Sequence, residues 1–146
     1  EGKVVADVLA GQDVVFDPRC IPAVVFTDPE IAWCGKTEQQ LKIENIEYKT
    51  GTFSFASNGR ARAMGNTQGL IKTLADAKTD RILGVHMFGP HVSELIAQAV
   101  IAMEFNSSSE DLAMTMFAHP SLSEVLHESA MDVLDGAIHK GKVKKS

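Results

Sequence analysis

A histidine and a glutamate that could do chemistry together stand five residues apart in the segment FAHPSLSE, residues 117–124. His119 precedes a proline, whose ring fixes the local backbone, and Glu124 falls in the first turn of a predicted helix. A carboxylate that binds one imidazole nitrogen fixes the ring and leaves the other nitrogen available as a general base. The spacing therefore predicts a His119–Glu124 pair that can take a proton from a substrate.

The same residues also fit a purely structural arrangement. Ser121 and Glu124 form a Ser-x-x-Glu pattern, which is typical of a capping box at a helix N-terminus. Ser121 is then the predicted N-cap, Glu124 caps backbone N–H groups, and His119 is a loop histidine beside a turn proline. Short motifs often occur without a function, so the spacing alone leaves both interpretations open.

Composition excludes several classes of partner. The 146 residues are 45% hydrophobic and 23% charged, which is typical of one soluble globular domain. The net charge of -5 argues against a nucleic-acid groove, and no apolar run is long enough to span a bilayer. We therefore expect neither nucleic acid nor a membrane as a partner.

The two cysteines and the remaining histidines are weak candidates for a second site. Cys20 and Cys34 are predicted to be buried and free, which is typical of a reducing compartment, taken as the cytoplasm. His127 and Glu128 begin a His-Glu-x-x-His pattern, but Met131 occupies the place of the second histidine. We therefore predict no metal site.

Strands and helices can be predicted from the periodicity of apolar residues and from turn residues. Strands are predicted at 23–27, 31–35, 48–55, 70–75 and 82–88, with an irregular stretch at 58–69. Helices are predicted at 38–45, 91–105 and 109–114 and from Ser121 to Val133, with Thr37, Ser108 and Ser121 as N-caps. Strands followed by helices, without β-α-β alternation, indicate an α+β domain with helices on an antiparallel sheet.

The helix at 91–105 is apolar almost all round, which is typical of a helix that is covered on every side. We expect one face to cover the sheet and another to contact a partner chain.

Three further segments resemble a known family. Residues 26–38 read FTDPEIAWCGKTE, residues 53–61 read FSFASNGRA, and residues 82–96 contain ILGVH, then Gly-Pro, then Glu-Leu-Ile. With the His-Pro-Ser-x-x-Glu segment, they resemble the dihydrolipoamide dehydrogenase family of flavoprotein disulfide reductases over nearly the whole chain. Ser121 departs from the usual threonine, but both residues can cap a helix.

The resemblance implies an α+β interface domain of an enzyme that oxidises protein-bound dihydrolipoamide with FAD and a cysteine pair, and then reduces NAD. It implies that His119 takes the proton of a substrate thiol, that Glu124 holds the other imidazole nitrogen, and that the His119–Pro120 bond is cis. It also implies a homodimer in which the histidine serves the partner subunit's site. Lipoyl domains of 2-oxo acid dehydrogenase complexes or of the glycine cleavage system would then be protein partners.

The resemblance, together with the lysine-rich C-terminal residues, divides the chain into three parts. Residues 1–20 correspond to the end of a FAD-binding domain (a truncated helix and a linker), residues 21–140 to the dimerisation domain, and residues 141–146 to a basic flexible tail. The family's Cys-x4-Cys pair and dinucleotide loops lie upstream, so we expect this chain alone to be inactive and to bind no FAD or NAD. The alternatives are a non-catalytic dimerisation module and the interface domain of a related disulfide reductase.

Overall fold

A computed structural model describes residues 1–140, and the predicted basic tail at 141–146 lies outside the described residues. The strands are β1 Ala23–Val25, β2 Glu30–Gly35, β3 Tyr48–Ser54, β4 Leu70–Asp76 and β5 Ile82–Gly89. The helices are α1 Gly2–Leu9, α2 Glu38–Ile43, α3 Gly59–Ala63, α4 Val92–Glu104, α5 Ser109–Met114 and α6 Glu124–Val133. None of the helices within residues 1–140 has the length and apolarity needed to cross a membrane.

The five strands form one antiparallel sheet in the order β1-β2-β5-β4-β3. The predicted hairpin between β4 and β5 is confirmed, and its turn is closed by Asp76 Oδ1, which accepts from the N–H groups of Lys78 and Thr79. β1 ends two residues earlier than predicted, because the Thr27 hydroxyl donates to Pro29 O and turns the chain. The predicted α+β class with helices on an antiparallel sheet is confirmed.

The main core lies between one face of the sheet and helices α4, α5 and α6. Alternate strand residues point into this core, because successive side chains of a β-strand lie on opposite faces of the sheet. Its fully buried members include Ile71 and Val85 of the sheet and Val92, Ala99, Val125 and Leu126 of the helices. Burying a side chain the size of valine or leucine contributes about 1.5–3 kcal/mol relative to leaving it exposed, so this layer holds α6 against the sheet.

The other face of the sheet is only partly covered. Helix α2 packs over one end, where Leu41 and Leu74 are fully buried and Lys72 Nζ lies 3.0 Å from Glu38 Oε2. Elsewhere that face leaves Leu70 and Phe88 partly exposed.

Helix α4 buries one side only in this chain. Leu95, Ile96 and Ala99 contact the core, whereas Ile101 is exposed and Phe105, just past the helix end, is 80% exposed. The expectation that one face covers the sheet is confirmed. The outward apolar face has no cover among residues 1–140, and its contact with a partner chain stays a prediction.

Two local predictions about loops and helix starts are wrong. Residues 58–69, predicted to be irregular, contain α3, which Asn58 caps by accepting from Ala61 N–H. The last helix begins at Glu124 and not after Ser121, and the hydroxyl of its N-cap residue, Ser123, accepts from Gln98 Nε2 and not from a backbone N–H of the helix. The helix starts later than predicted because a tight turn precedes it, in which the N–H of Val125 donates to Leu122 O.

Candidate functional site

Glu124, the first residue of α6, uses its two carboxylate oxygens for two different partners. His119 Nδ1 lies 2.8 Å from Glu124 Oε1. The backbone N–H of Ser121 donates to Glu124 Oε2 at 2.8 Å. The two interpretations of this motif are therefore compatible, because one oxygen holds the imidazole and the other holds the loop backbone.

Ser121 does not act as the cap that its sequence pattern suggests. Its hydroxyl oxygen is buried and has no hydrogen-bond partner in the part of the chain that the structure describes. Only the glutamate half of the predicted capping box is present, because the helix begins two residues later than a Ser121 cap requires.

The two side chains of the pair differ in their exposure to solvent. The Glu124 side chain is 19% exposed and the His119 side chain is 76% exposed. Within residues 1–140, His119 Nε2 has no hydrogen-bond partner, whereas Nδ1 faces Glu124. A neutral imidazole that donates through Nδ1 carries its lone pair on Nε2, so the proton-accepting nitrogen is the one that residues 1–140 leave without a partner.

The environment of Glu124 favours its ionised form. Partial burial raises the pKa of Glu124, but the hydrogen bonds from Ser121 N–H and from His119 outweigh burial, so the pKa lies below its ordinary value. A lowered pKa in the folded state means that the pairing stabilises the fold above the ordinary carboxyl pKa and is lost as pH falls through the lowered value. At neutral pH Glu124 is therefore a carboxylate that can hold an imidazolium.

The backbone around His119 is fixed from both sides. The His119–Pro120 peptide bond is cis, as the family resemblance implied. On the N-terminal side, the Phe117 ring stacks on the His127 ring with centroids 5.1 Å apart, and His127 Nε2 lies 2.9 Å from Ala113 O. His127 thus packs against the segment that carries His119.

Asn58 reaches the same segment from the start of α3. Its Nδ2 donates to Ser121 O at 2.9 Å, and its Oδ1 accepts from Ala61 N–H at 2.9 Å. No motif in the amino-acid sequence predicts Asn58 as part of this site. The available signal was an asparagine before Gly-Arg-Ala, which is typical of a helix N-cap.

A second carboxylate–histidine pair lies one turn further along α6. Glu128 is only 4% exposed, and its Oε1 lies 2.5 Å from His139 Nδ1. Its Oε2 accepts from the N–H of Ile138 at 2.7 Å. Sequence reasoning missed this pair, which anchors the chain after α6 back onto that helix.

The cysteines are buried free thiols, as predicted. Burial raises the pKa of Cys20, and burial together with the neighbouring Cys20 raises the pKa of Cys34 to about 12. Both are therefore thiols and not thiolates at neutral pH, which makes them poor nucleophiles. Residues 1–140 contain no group of three or more His, Cys, Asp or Glu side chains that could hold a metal ion.

The sequence of this chain is similar to one family and to several curated relatives. Residues 21–130 match the family described as pyridine nucleotide-disulphide oxidoreductase, dimerisation domain. The dihydrolipoyl dehydrogenase of Cupriavidus necator is 55% identical over 133 residues, which are 91% of this chain and 28% of the relative. The mitochondrial dihydrolipoyl dehydrogenase of Homo sapiens is 46% identical over 129 residues, which are 88% of this chain and 25% of the relative.

Solved structures give the same fold. LpdA from Mycobacterium tuberculosis superposes with a TM-score of 0.80 at 27% identity, over 89% of this chain and 28% of that one. The HOCl-induced flavoprotein disulfide reductase RclA from Escherichia coli gives a TM-score of 0.82 at 29% identity, over 88% of this chain and 30% of that one. The chain thus spans between a quarter and a third of the proteins it matches.

Proposed function

The chain belongs to the pyridine nucleotide-disulphide oxidoreductase dimerisation-domain family, and from this membership we propose that it is the interface domain of a dihydrolipoamide dehydrogenase. In this proposal the domain joins two subunits and supplies His119 and Glu124 to the active site of the partner subunit. Residues 1–20 are the end of the preceding FAD-binding domain, residues 21–140 are the interface domain, and residues 141–146 are a basic tail.

The proposed reaction begins with proton transfer from a substrate thiol to His119 Nε2. The resulting thiolate attacks a disulfide of the partner subunit, so that a substrate–enzyme S–S bond forms as the enzyme S–S bond breaks and releases a thiolate. Glu124 holds Nδ1–H throughout, which fixes the tautomer and stabilises the imidazolium. The proton on His119 is then available for the thiolate that is released when the enzyme S–S bond breaks.

The cofactors of this proposal, FAD and NAD, are assigned to the upstream domains. The sequence contains no Gly-x-Gly-x-x-Gly loop, which dinucleotide sites use to bring backbone N–H groups to a pyrophosphate. The residues of this chain therefore do not fit either cofactor by themselves.

The observation that carries the proposal is that the His119 ring is bound through one nitrogen and is otherwise exposed. Its Nδ1 is bound by a carboxylate of the same domain, while its side chain is 76% exposed. A base that serves its own domain would face a cavity lined by that domain. A ring whose Nδ1 is bound by its own domain, and whose other edge is exposed, is suited to a substrate held by another subunit.

Exposed apolar side chains near α4 and α5 support the homodimer. Four of them are Ile101, Phe105, Met114 and Met116. Obligate interfaces between subunits are large and apolar, so a second copy could cover this surface. The domain name of the family also indicates self-association.

The wider partners and the compartment belong to the same proposal. Dihydrolipoyl groups are attached to lipoyl domains, so we propose the lipoyl domains of 2-oxo acid dehydrogenase complexes or of the glycine cleavage system as partners. Two buried free thiols favour a reducing compartment. We propose the cytoplasm for this chain, although several relatives are named mitochondrial.

The test uses a full-length enzyme, which we define as this chain joined to the upstream domains of the Cupriavidus necator relative in place of the matching segment. Glu124→Gln should lower kcat for dihydrolipoamide oxidation by about tenfold or more, because an amide can still accept the Ser121 N–H bond but cannot stabilise an imidazolium by charge. Steady-state kinetics and the urea midpoint of unfolding measure the two effects separately.

Glu38→Gln is the matched control, because it removes a partly buried carboxylate paired with Lys72 on the other side of the sheet. It should leave kcat unchanged. If Glu124→Gln also leaves kcat unchanged, Glu124 is only a cap and the domain is a non-catalytic dimerisation module. If the unsubstituted full-length enzyme oxidises another dithiol and not dihydrolipoamide, the domain belongs to a related disulfide reductase.

A further inference from the structure

We propose that Asn58 is a positioning residue for the His119–Glu124 pair. This inference rests on the proposed function and extends it to the N-cap residue of α3, far from the histidine in sequence. The role follows from a chain of hydrogen bonds that runs from Asn58 through Ser121 to Glu124 and His119.

Asn58 is itself held in one orientation. It is 4% exposed, and its backbone N–H donates to Phe55 O at 3.0 Å. Its Oδ1 accepts from Ala61 N–H, which leaves the amide Nδ2 pointing at Ser121 O. A buried amide with partners at both ends is a rigid group, because turning it over would leave two buried polar atoms unpaired.

Ser121 is held through its backbone alone. Its carbonyl accepts from Asn58 and its N–H donates to Glu124, whereas its hydroxyl has no partner among residues 1–140. The two backbone bonds run to groups on different elements, α3 and α6. They fix the peptide groups of the residue that stands two positions after His119.

The same carboxylate that holds Ser121 also holds the imidazole. Glu124 can bind both His119 and Ser121 only while the loop between them keeps its present distance from α6. Without the bond from Asn58, the carbonyl of Ser121 loses its anchor and the loop can move. Because misplacement by 1 Å can cost about 10²-fold in rate, a small loosening of this loop should be measurable.

The two roles of Asn58 can be separated by substitution. Serine is as good an N-cap as asparagine, so Asn58→Ser can still cap α3, but its side chain is too short to reach Ser121 O. Asn58→Asp also caps α3, and its carboxylate can only accept, so it cannot donate to a carbonyl. Either variant therefore removes the bond to Ser121 while keeping the cap.

In the full-length enzyme, Asn58→Ser should slow thiol-driven flavin reduction by about 3- to 30-fold and leave flavin reduction by NADH unchanged. In a double-mutant cycle, adding Asn58→Ser to His119→Gln should not slow thiol-driven flavin reduction further, because Asn58 affects this rate only by positioning His119. Stopped-flow measurement of both half-reactions gives these values. If Asn58→Ser does not fold, Asn58→Asp takes its place.

Thr37→Ala is the control for loss of stability, since Thr37 caps α2 on the opposite face of the sheet. It should lower the unfolding midpoint and leave both half-reactions unchanged. Any of three results overturns the inference. The first is a normal rate of thiol-driven flavin reduction in Asn58→Ser, and the second is a double variant in which the rate losses of Asn58→Ser and His119→Gln add. The third is a Thr37→Ala variant that slows thiol-driven flavin reduction as much as Asn58→Ser does. If His119→Gln itself has no effect, the proposed function fails and not only the role of Asn58.

Discussion

Replacing His119 with glutamine should slow dihydrolipoamide oxidation by the full-length enzyme by about 10²–10⁴-fold, the usual contribution of a general base. Glutamine can still donate a hydrogen bond to Glu124, but its amide cannot take a proton from a thiol. The effect should fall on the half-reaction in which the substrate thiol reduces the flavin. Stopped-flow absorbance of the flavin follows this step directly.

The reduction of the flavin by NADH is the internal control for this variant, because it requires no deprotonated substrate thiol. It should change by much less than the thiol half-reaction. His86→Gln serves as a second control, since His86 Nε2 is hydrogen-bonded to Lys36 O and His86 lies opposite Lys72 in the sheet, on the face away from α6. Two results would mean that a general disturbance of the fold, and not a missing base, explains the slower reaction. One is an equal fall in the rates of both half-reactions, and the other is the same fall in His86→Gln.

Gly51→Ala should destabilise the chain by about 3 kcal/mol, the upper end of the usual range for overpacking. A Cβ atom at Gly51 would stand 2.2 Å from Ser129 O and 2.4 Å from Val133 N. Both atoms belong to the backbone of α6, so no rotation of a side chain can relieve the clash. The helix that carries Glu124 would have to move away from β3.

Gly59→Ala is the matched control for this prediction. Gly59 is the first residue of α3, and a Cβ atom there would meet nothing within 4 Å. That substitution should raise stability by about 0.5–1 kcal/mol, because alanine loses less backbone entropy on folding. Urea unfolding of the 146-residue chain, followed by circular dichroism, measures both variants. Equal stability for the two would refute the close contact between β3 and α6.

The local elements of the fold could be predicted because each rests on residues close together in sequence. The hairpin of β4 and β5 follows from two apolar runs around Asp76 and its turn. Helix α2 follows from Thr37, whose capping box with Gln40 is present. The spacing of His119 and Glu124 likewise predicts a contact within a single turn, and the structure contains it.

The remaining features depend on contacts that no local pattern encodes. The bond from Asn58 to Ser121 joins residues 63 positions apart, and Ser129, which bonds Thr73 across the core, is 56 positions from its partner. The start of α6 was misplaced because the Ser-x-x-Glu pattern fits both a capping box and a carboxylate that reaches back to a loop. Tertiary packing decides between them, and it places the helix start at Glu124.

The central claim is that this domain supplies His119 to the active site of the other subunit. The direct measurement mixes two inactive full-length homodimers, one with His119→Gln and one whose upstream cysteine pair is replaced by serine. Subunit exchange should produce heterodimers with one complete site and about half of the wild-type activity per dimer, if the two sites act independently. Demonstrated exchange without any return of dihydrolipoamide oxidation would contradict the account.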